Sequence, residues 1–342
     1  MTLRLLEGLV RRGWQVEWFS AAYPGAAPDE VRDGIRYVRA GGQASVHFWA
    51  YRRYAKAQPF DVVVDEINTI PFFTPLYFRI PQVALIYQLA REVWLHEAPA
   101  PLSWAGYALE PAYMQVYRRT PVATISPSSA QSFERLGLRG PRSIVPIAVD
   151  EPAVERVPAK CDPPAVTVIA RIAPSKRIGD ALRAARWMAD RGWTGTLRIA
   201  GSGAGAYAAG LKAEAERILP GRVEFLGFVS DERRTSLLQE SSALWMTSER
   251  EGWGLVVTEA NRNGTPAVVY DVPGLRDAVA NDVTGYVVPE TPEALGAATL
   301  RLFARANEFA ERALAASRQY DWERSVDAFE DGVRATMTAY AR

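Results

Sequence analysis

Cysteine is nearly absent from this chain of 342 residues: Cys161 stands alone. That excludes a disulfide framework and a thiolate metal cluster, and it fits a reducing compartment. Histidine is almost as scarce, with His47 and His96 only, so a His-based metal site is not expected. No Asp-x-Asp pair sits where a metal–diphosphate site would be read, and no metal is expected. Charge of one sign is missing too. The formal net charge is +1, and residues 1–150 carry 16 basic and 13 acidic side chains against 24 and 26 in the remainder. So even a balance gives no basic face for nucleic acid. No apolar run approaches the roughly 18–20 residues that span a bilayer. The opening "MTLRLLEGLVRRG" lacks the order of a signal peptide. The expected setting is therefore cytoplasmic. What is present, 48% apolar and 23% charged residues, is ordinary for a globular protein, and the length points to two domains.

The first residues are unusual. Leu3, Leu5, Leu6, Leu9 and Val10 recur at helical spacing, Gly13 stands at a C-cap position, and "WQVEWFS" then alternates as a strand. An α/β domain normally sets a strand and a loop ahead of such a helix, so the first domain is expected to lack its first strand. Short apolar strands then alternate with helices: "GIRYVRA", "DVVVDE", "QVALIY", "PVATIS" and "SIVPIAVD" between helical stretches. Glu151 to Pro164, "EPAVERVPAKCDPP", has neither period and reads as a boundary. The alternation restarts at "AVTVIAR" and runs through "TLRIAG", "RVEFLGFV", "ALWMTS", "PAVVYD" and "GYVV"; from Pro292 the chain reads as helix. The fold class is α/β with two doubly wound Rossmann-like domains. They cover residues 1–149 and 150–321, and a last helix over 322–342 returns to the first.

Two stretches invite chemistry. Gly201-Ser202-Gly203-Ala204-Gly205-Ala206 fits the dinucleotide fingerprint, but it follows the second strand of its domain and Glu224 lies inside the next strand rather than at its end. A nicotinamide enzyme is thus disfavoured, leaving a flexible turn or backbone amides that face a phosphate or sugar. In "SEREGWGLVVTEANRNGTP", Gly264 and Pro266 mark the end of a helix that starts near Gly254. Glu251 then precedes the helix and Glu259 lies more than a turn inside it. The helix amino end attracts an anion, so a phosphate flanked by two hydroxyl-accepting carboxylates describes a nucleotide-sugar site. On spacing alone, one solvated loop acid and one acid on a helix face are the favoured description. Arg171 and Lys176 in "VIARIAPSK" follow a strand at the edge where such domains bind ligands. They could neutralise a diphosphate leaving group, or form a solvated pair.

"RIAPSK", "AGSG", "VEFLGFV", the Glu-containing stretch and "TGYVVP", in this order and spacing, resemble the donor half of the retaining family 4 glycosyltransferases of GT-B fold. The likeness is strong over residues 165–290 and weaker in the first half, through "DVVVDEINTIPFFTPLY", "QLAREVW" and "VATISPSSAQSFERLG". The resemblance implies transfer of a sugar from a nucleotide-diphosphate sugar to a hydroxyl acceptor, with retention of configuration. It implies that Glu251 contacts the donor sugar, that Glu259 contacts the ribose, and that Arg171 and Lys176 bind the diphosphate. Gly252, Gly254 and Leu255 match the loop whose backbone meets sugar and phosphate, and Gly201 and Gly203 belong to the same ligand-facing set. No cofactor beyond the donor substrate is implied. The acceptor would be a saccharide, a lipid-linked sugar or a small hydroxyl compound, with peripheral contact at the inner face of a membrane as an open option. Three positions depart from the family: the missing first strand with its Gly-rich loop, Tyr87 where a His is common, and Ile147-Ala148 where Asn-Gly is common. The first departure supports a rival description, a nucleotide-sugar-binding protein of impaired catalysis.

Lesser candidates lie in the first half. Asp65, Glu66 and Asn68 end a strand and either orient acceptor hydroxyls or cap the loop. His96 reads as a bystander, and Arg91 and Glu92 either pair or face a cleft. Trp49, Trp94 and Trp104 could stack on sugar or lipid but are expected in the core, and "RRYAK" with Arg11 and Arg12 could rest on anionic lipid but is expected as a solvated face.

Overall fold

The computed structural model describes residues 1–56, 58–91, 94–95 and 100–341. The chain divides into unit 1, Met1–Ala148 with Asp321–Arg342, and unit 2, Val149–Tyr320.

Unit 1 begins with α1 (Thr2–Arg11), then β1 (Val16–Ser20), β2 (Asp29–Arg32), β3 (Ile35–Arg39), α2 (Val46–Tyr54), β4 (Val63–Glu66) and β5 (Gln82–Leu85). It continues with α3 (Leu102–Met114), β6 (Val122–Thr124), α4 (Pro127–Arg135) and β7 (Arg142–Ile144). Its strands form two sheets, one of order β1-β3-β2 and one of order β4-β5-β6-β7. Among the described residues no strand joins β1 to β4, which is consistent with the expected lack of a first strand. Between those two edges lies a cavity of about 480 Å³, lined in part by Trp18, Phe19, Tyr54, Val62, Val64 and Phe72. All five residues of β1 are half-buried, whereas Val83, Ala84 and Leu85 of β5 are fully covered. β2 is not anticipated by the sequence reading. It pairs antiparallel to β3 through a tight turn at Asp33-Gly34, both at positive φ, and an Asp-Gly pair between strands is a strong hairpin signal.

Unit 2 holds β8 (Val166–Ile169), α5 (Ile178–Ala189), β9 (Leu197–Ala200), α6 (Gly205–Ile218), β10 (Val223–Gly227), α7 (Asp231–Glu240), β11 (Ala243–Met246) and α8 (Leu255–Arg262). β12 (Ala267–Tyr270), α9 (Leu275–Ala278), β13 (Gly285–Val288), α10 (Pro292–Phe303) and α11 (Ala306–Ser317) follow. Six parallel strands run in the order β10-β9-β8-β11-β12-β13. Strands β11 and β12 are buried at every residue, as parallel strands covered on both faces must be. The helical tail from Pro292 is three helices: it breaks before Trp322, where Asp321-Trp322-Glu323 reads as an interruption in the sequence, and a second time at Ala304-Arg305, which the sequence does not announce.

The last of them, α12 (Trp322–Tyr340), is capped by the Asp321 carboxylate, which accepts from the Arg324 N–H at 2.9 Å. Val326, Phe329 and Val333 on one face of α12 enter a core with Leu5 and Leu9 of α1, Val83 and Leu85. The helix thus belongs to unit 1, although unit 2 separates it in sequence from the rest.

Candidate functional site

Strand order in unit 2 reverses between β8 and β11, and such switch points open a crevice beyond the strands' carboxyl ends. Three loops meet there: residues 170–177 after β8, 201–204 after β9 and 247–254 after β11. Hydrogen bonds join them. The Ile172 N–H donates to Ser202 O at 2.8 Å, the Glu249 N–H to Ser175 O at 2.9 Å, and Thr247 Oγ1 to Lys176 O at 2.7 Å. Gly201 and Gly203 are required by this approach: a Cβ would lie 1.9 Å from Ala170 O at Gly201 and 2.4 Å from Ile172 Cβ at Gly203. The Gly-rich stretch therefore has a packing cause, in addition to the choices left by its sequence.

Glu251 and Lys176 come together across the crevice. Lys176 Nζ lies 2.5 Å from Glu251 Oε1, and Ser248 Oγ donates to the same oxygen at 2.8 Å. Each side chain of the pair is 19% exposed, so both are reachable from solvent. The Glu251 backbone is pinned as well: its N–H donates to Pro273 O at 3.1 Å. Gly274, at φ +85°, packs so closely that a Cβ would lie 2.1 Å from Glu251 O. Arg171 sits exposed in the first of the three loops, and Gly252 in the bend after Glu251.

α8 starts where the sequence places it. Gly254 adopts φ +100° at the N-cap, no side chain caps the helix, and the first turn carries no acid. Its free N–H groups and dipole thus favour an anion. Leu255, the first helical residue, is 45% exposed. The β-branched segment holds as helix because Val257, Thr258 and Ala260 are buried. Gly264 at φ +65° then reverses the chain, and the Thr265 N–H closes on Ala260 O at 2.8 Å.

Glu259 lies on the fifth position of α8, away from Glu251. Its Oε2 is 3.4 Å from Arg234 Nε of α7, and Arg234 Nη2 reaches Glu151 Oε1 at 3.0 Å. Burial pushes the Glu259 carboxyl above the usual carboxylate range; Arg234 pulls it back, and Glu151 and Asp231 push it further up. Arg262, one turn on, donates from Nη1 to Glu151 O at 2.6 Å and from Nη2 to Tyr320 O. Sequence reasoning did not find Arg234 or Glu151. One sits on α7 and the other in the boundary stretch, so no local pattern links either to Glu259.

The candidates in unit 1 resolve differently. Asp65 is buried and accepts from the Phe72 N–H at 3.3 Å, from Thr74 Oγ1 at 2.9 Å and from Tyr117 OH, which makes it a loop cap. Burial raises its carboxyl in spite of these donors. Glu66 accepts from Thr2 Oγ1 at 2.7 Å, and Thr2 Oγ1 also lies 2.5 Å from Tyr87 OH. Asn68 is exposed, and Ile147 and Ala148 are buried. Arg91 donates to Tyr107 O at 3.2 Å and lies over that ring. Glu92 and His96 lie outside the described residues. Trp94 is 8% exposed and packs in the core as expected. Trp49 at 40% and Trp104 at 68% do not, because α2 and α3 turn those faces outward. Arg52, Arg53 and Lys56 are solvated, but Arg12 pairs with Asp327 at 2.6 Å and Glu330 at 2.9 Å. Among the described residues no group of three His, Cys, Asp or Glu is arranged to hold a metal. No described helix is long and apolar enough to cross a membrane.

Two family profiles match the chain: "Glycosyl transferase 4-like domain" over residues 1–148 and "Glycosyl transferases group 1" over residues 150–319. A D-inositol 3-phosphate glycosyltransferase of Streptomyces griseus subsp. griseus is 35% identical over 186 residues, which cover 50% of this chain and 39% of that protein. The match therefore spans well under half of the curated relative's length. Among solved structures, a sucrose-phosphate synthase from Thermosynechococcus elongatus superposes with a TM-score of 0.74 at 18% identity, covering 98% of this chain and 92% of the other. Anabaena HepE, in complex with UDP and glucose, gives 0.64 at 16% identity, covering 88% and 85%. At such identities the structures speak for the fold, which is GT-B, and the two profiles, end to end over residues 1–319, speak for descent. The chain belongs to the group 1, family 4 glycosyltransferases.

Proposed function

We propose that the chain transfers a sugar from a nucleotide-diphosphate sugar to a hydroxyl acceptor with retention of configuration. The observation that carries this is the Lys176–Glu251 pair, held at the switch point in the same crevice as the uncapped amino end of α8. In the proposed site, the diphosphate lies against the N–H groups of α8 and the backbone of Gly252, Gly254 and Leu255, with Gly201 and Gly203 beside it. Arg171 and Lys176 neutralise it. A phosphate oxygen takes the Lys176 ammonium from Glu251, and sugar hydroxyls take its place on the carboxylate. Glu259 accepts from the ribose.

Charge on the diphosphate grows as the bond from the anomeric carbon to phosphate oxygen breaks, and fixed cations stabilise that state more than the ground state. The acceptor oxygen bonds to the anomeric carbon from the face the diphosphate leaves, and its proton departs with the diphosphate. The two cations serve the leaving group, so no metal is invoked. HepE, solved with UDP and glucose, and the inositol-phosphate enzyme make a uridine diphosphate sugar and a phosphorylated polyol the first pair to test. A cytoplasmic setting with contact at the inner membrane face belongs to the same proposal. It is supported by the exposed Phe48 and Trp49 beside Arg52 and Arg53 on α2.

Calorimetry with UDP, GDP and ADP, followed by assay of diphosphate release with and without acceptor, tests the proposal. Glu259→Ala should weaken nucleotide binding about tenfold, the worth of a hydrogen bond to a charged group. Glu251→Ala should spare binding and lower turnover about a hundredfold. Small and equal effects of both would remove the assigned roles. A second description, a nucleotide-sugar binder without turnover, is favoured by one observation, the split sheet of unit 1. Tight binding with no release under any acceptor would select it.

A further inference from the structure

Glu259 can accept ribose hydroxyls only while it is ionised, yet its position works against the charge. The carboxyl sits inside unit 2 on α8, with Oε2 buried and without a hydrogen-bond partner. Among the described residues its ion-pair partner is Arg234, whose Nε is 3.4 Å away and likewise makes no hydrogen bond. That is Coulombic contact, not a bidentate clamp. The opposite end of the same guanidinium is claimed by Glu151, at 3.0 Å from Nη2, and Thr235 Oγ1 fixes that carboxylate at 3.3 Å. Asp231 lies 3.4 Å from Nη1. One guanidinium therefore serves three acids, arriving from α7, from α8 and from the segment just after Ala148.

We infer that Arg234 is a positioning residue of the nucleotide site, keeping Glu259 charged and aimed at the ribose, and that Glu151 opposes it by drawing on the same cation. The inference rests on the ribose role proposed for Glu259. It adds a residue on another helix and an antagonist from the boundary segment. Removing Arg234 leaves a desolvated carboxylate with two acidic neighbours, Glu151 and Asp231, which favours the protonated, non-accepting form. Removing the charge of Glu151 takes away a like charge and frees Arg234 for Glu259 alone. The two substitutions should therefore move the titration of Glu259 in opposite directions.

The sign follows from linkage. A raised midpoint costs nucleotide affinity as pH falls through it, so Arg234→Leu should lose UDP affinity at a higher pH than the unmodified chain and regain it on the alkaline side. Glu151→Gln should hold its affinity to a lower pH than the unmodified chain. Carbon-13 NMR of the Glu-labelled full chain, with the Glu259 carboxyl assigned by Glu259→Gln, reads the midpoints directly. Each should move by about one pH unit, since neighbouring charges commonly displace a carboxyl by that much. Arg234→Lys, which keeps charge and fold, should restore most of the midpoint, and it covers the case in which Arg234→Leu fails to fold.

Calorimetry with UDP and 2′-deoxy-UDP from pH 5.5 to 8.5 supplies the functional arm. As pH falls, Arg234→Leu should lose its preference for UDP before the unmodified chain does, and Glu151→Gln should lose it last. Midpoints that stay put, or that move the same way in Arg234→Leu and Glu151→Gln, overturn the inference. If instead Glu259→Gln leaves the preference for UDP over the deoxy nucleotide intact, the ribose role fails. The NMR titration then still reports whether Arg234 governs the carboxyl.

Discussion

Lys160, in the segment that enters unit 2, reaches inward so that Nζ donates to Thr265 Oγ1 at 2.7 Å, Gln239 O at 2.9 Å and Asn263 O at 3.4 Å. The three oxygens are neutral, and burial pushes this ammonium down to about 7. The free side chain titrates near 10.5. Between those values the unfolded chain binds more protons, so stability should rise as pH rises from about 7 to about 10; below 7 both states are charged and the slope vanishes. Lys160→Met should remove that slope, and urea melts of both chains at pH 7 and pH 9 measure it. The expected gain for the unmodified chain is about 1–2 kcal/mol, less than the bare pKa displacement implies because three acceptors remain to the charged form. At this scale the sequence spoke for where Glu251, Lys176 and Glu259 lie, because turns, glycines and a helix start that are written locally place them. It was silent on Arg234 and Glu151. A charge pair between two helices and a boundary segment has no period and no spacing; only the tertiary fold creates it.

Among the edge strands, β1 and β4 are the two that face each other across a cavity. Each is paired on one edge only, β1 to β3 and β4 to β5, and the cavity separates their other edges. Backbone amides aimed into that gap lack the ladder partners that protect the interior of a parallel sheet. Hydrogen exchange should thus be markedly faster for alternate amides of Val16–Ser20 and Val63–Glu66 than for Val268 or Val269 of β12. Equal protection would mean that the two edges are paired in solution by some other segment. The order of α1 and β1 was readable because the helical period of Leu5 and Leu9 gives way at Gly13 to the alternation of "WQVEWFS". β2 was overlooked for the opposite reason. Its "DEVR" is polar and short, and only the Asp33-Gly34 turn announces it. Polar edge strands carry little hydrophobic pattern, so their signal lies in the turn chemistry.

On the scale of the whole molecule, the two units are built to different standards. Unit 2 has one continuous six-stranded sheet over a large buried core, while unit 1 divides its strands between two sheets. Independent cores of unequal quality should melt separately, and a single unfolding free energy is then not defined. Calorimetric scans should show two transitions, with unit 1 first. Saturating UDP should raise only the second, because a ligand stabilises the fold that binds it. A single transition that moves as a whole would show the units to be thermodynamically fused. The doubly wound plan of unit 2 was plain from its regular alternation of strand and helix.

The grip of Arg262 bears on how these units are strung together. Its guanidinium holds the carbonyls of Glu151 and Tyr320, and those residues stand where the polypeptide arrives in unit 2 and where it departs. Inbound and outbound strands of the tether are thus knotted to a single post on α8, the helix that also bears Glu259. The first and last turns of unit 2 are thereby fastened to one side chain, so that fraying at one end should loosen the other.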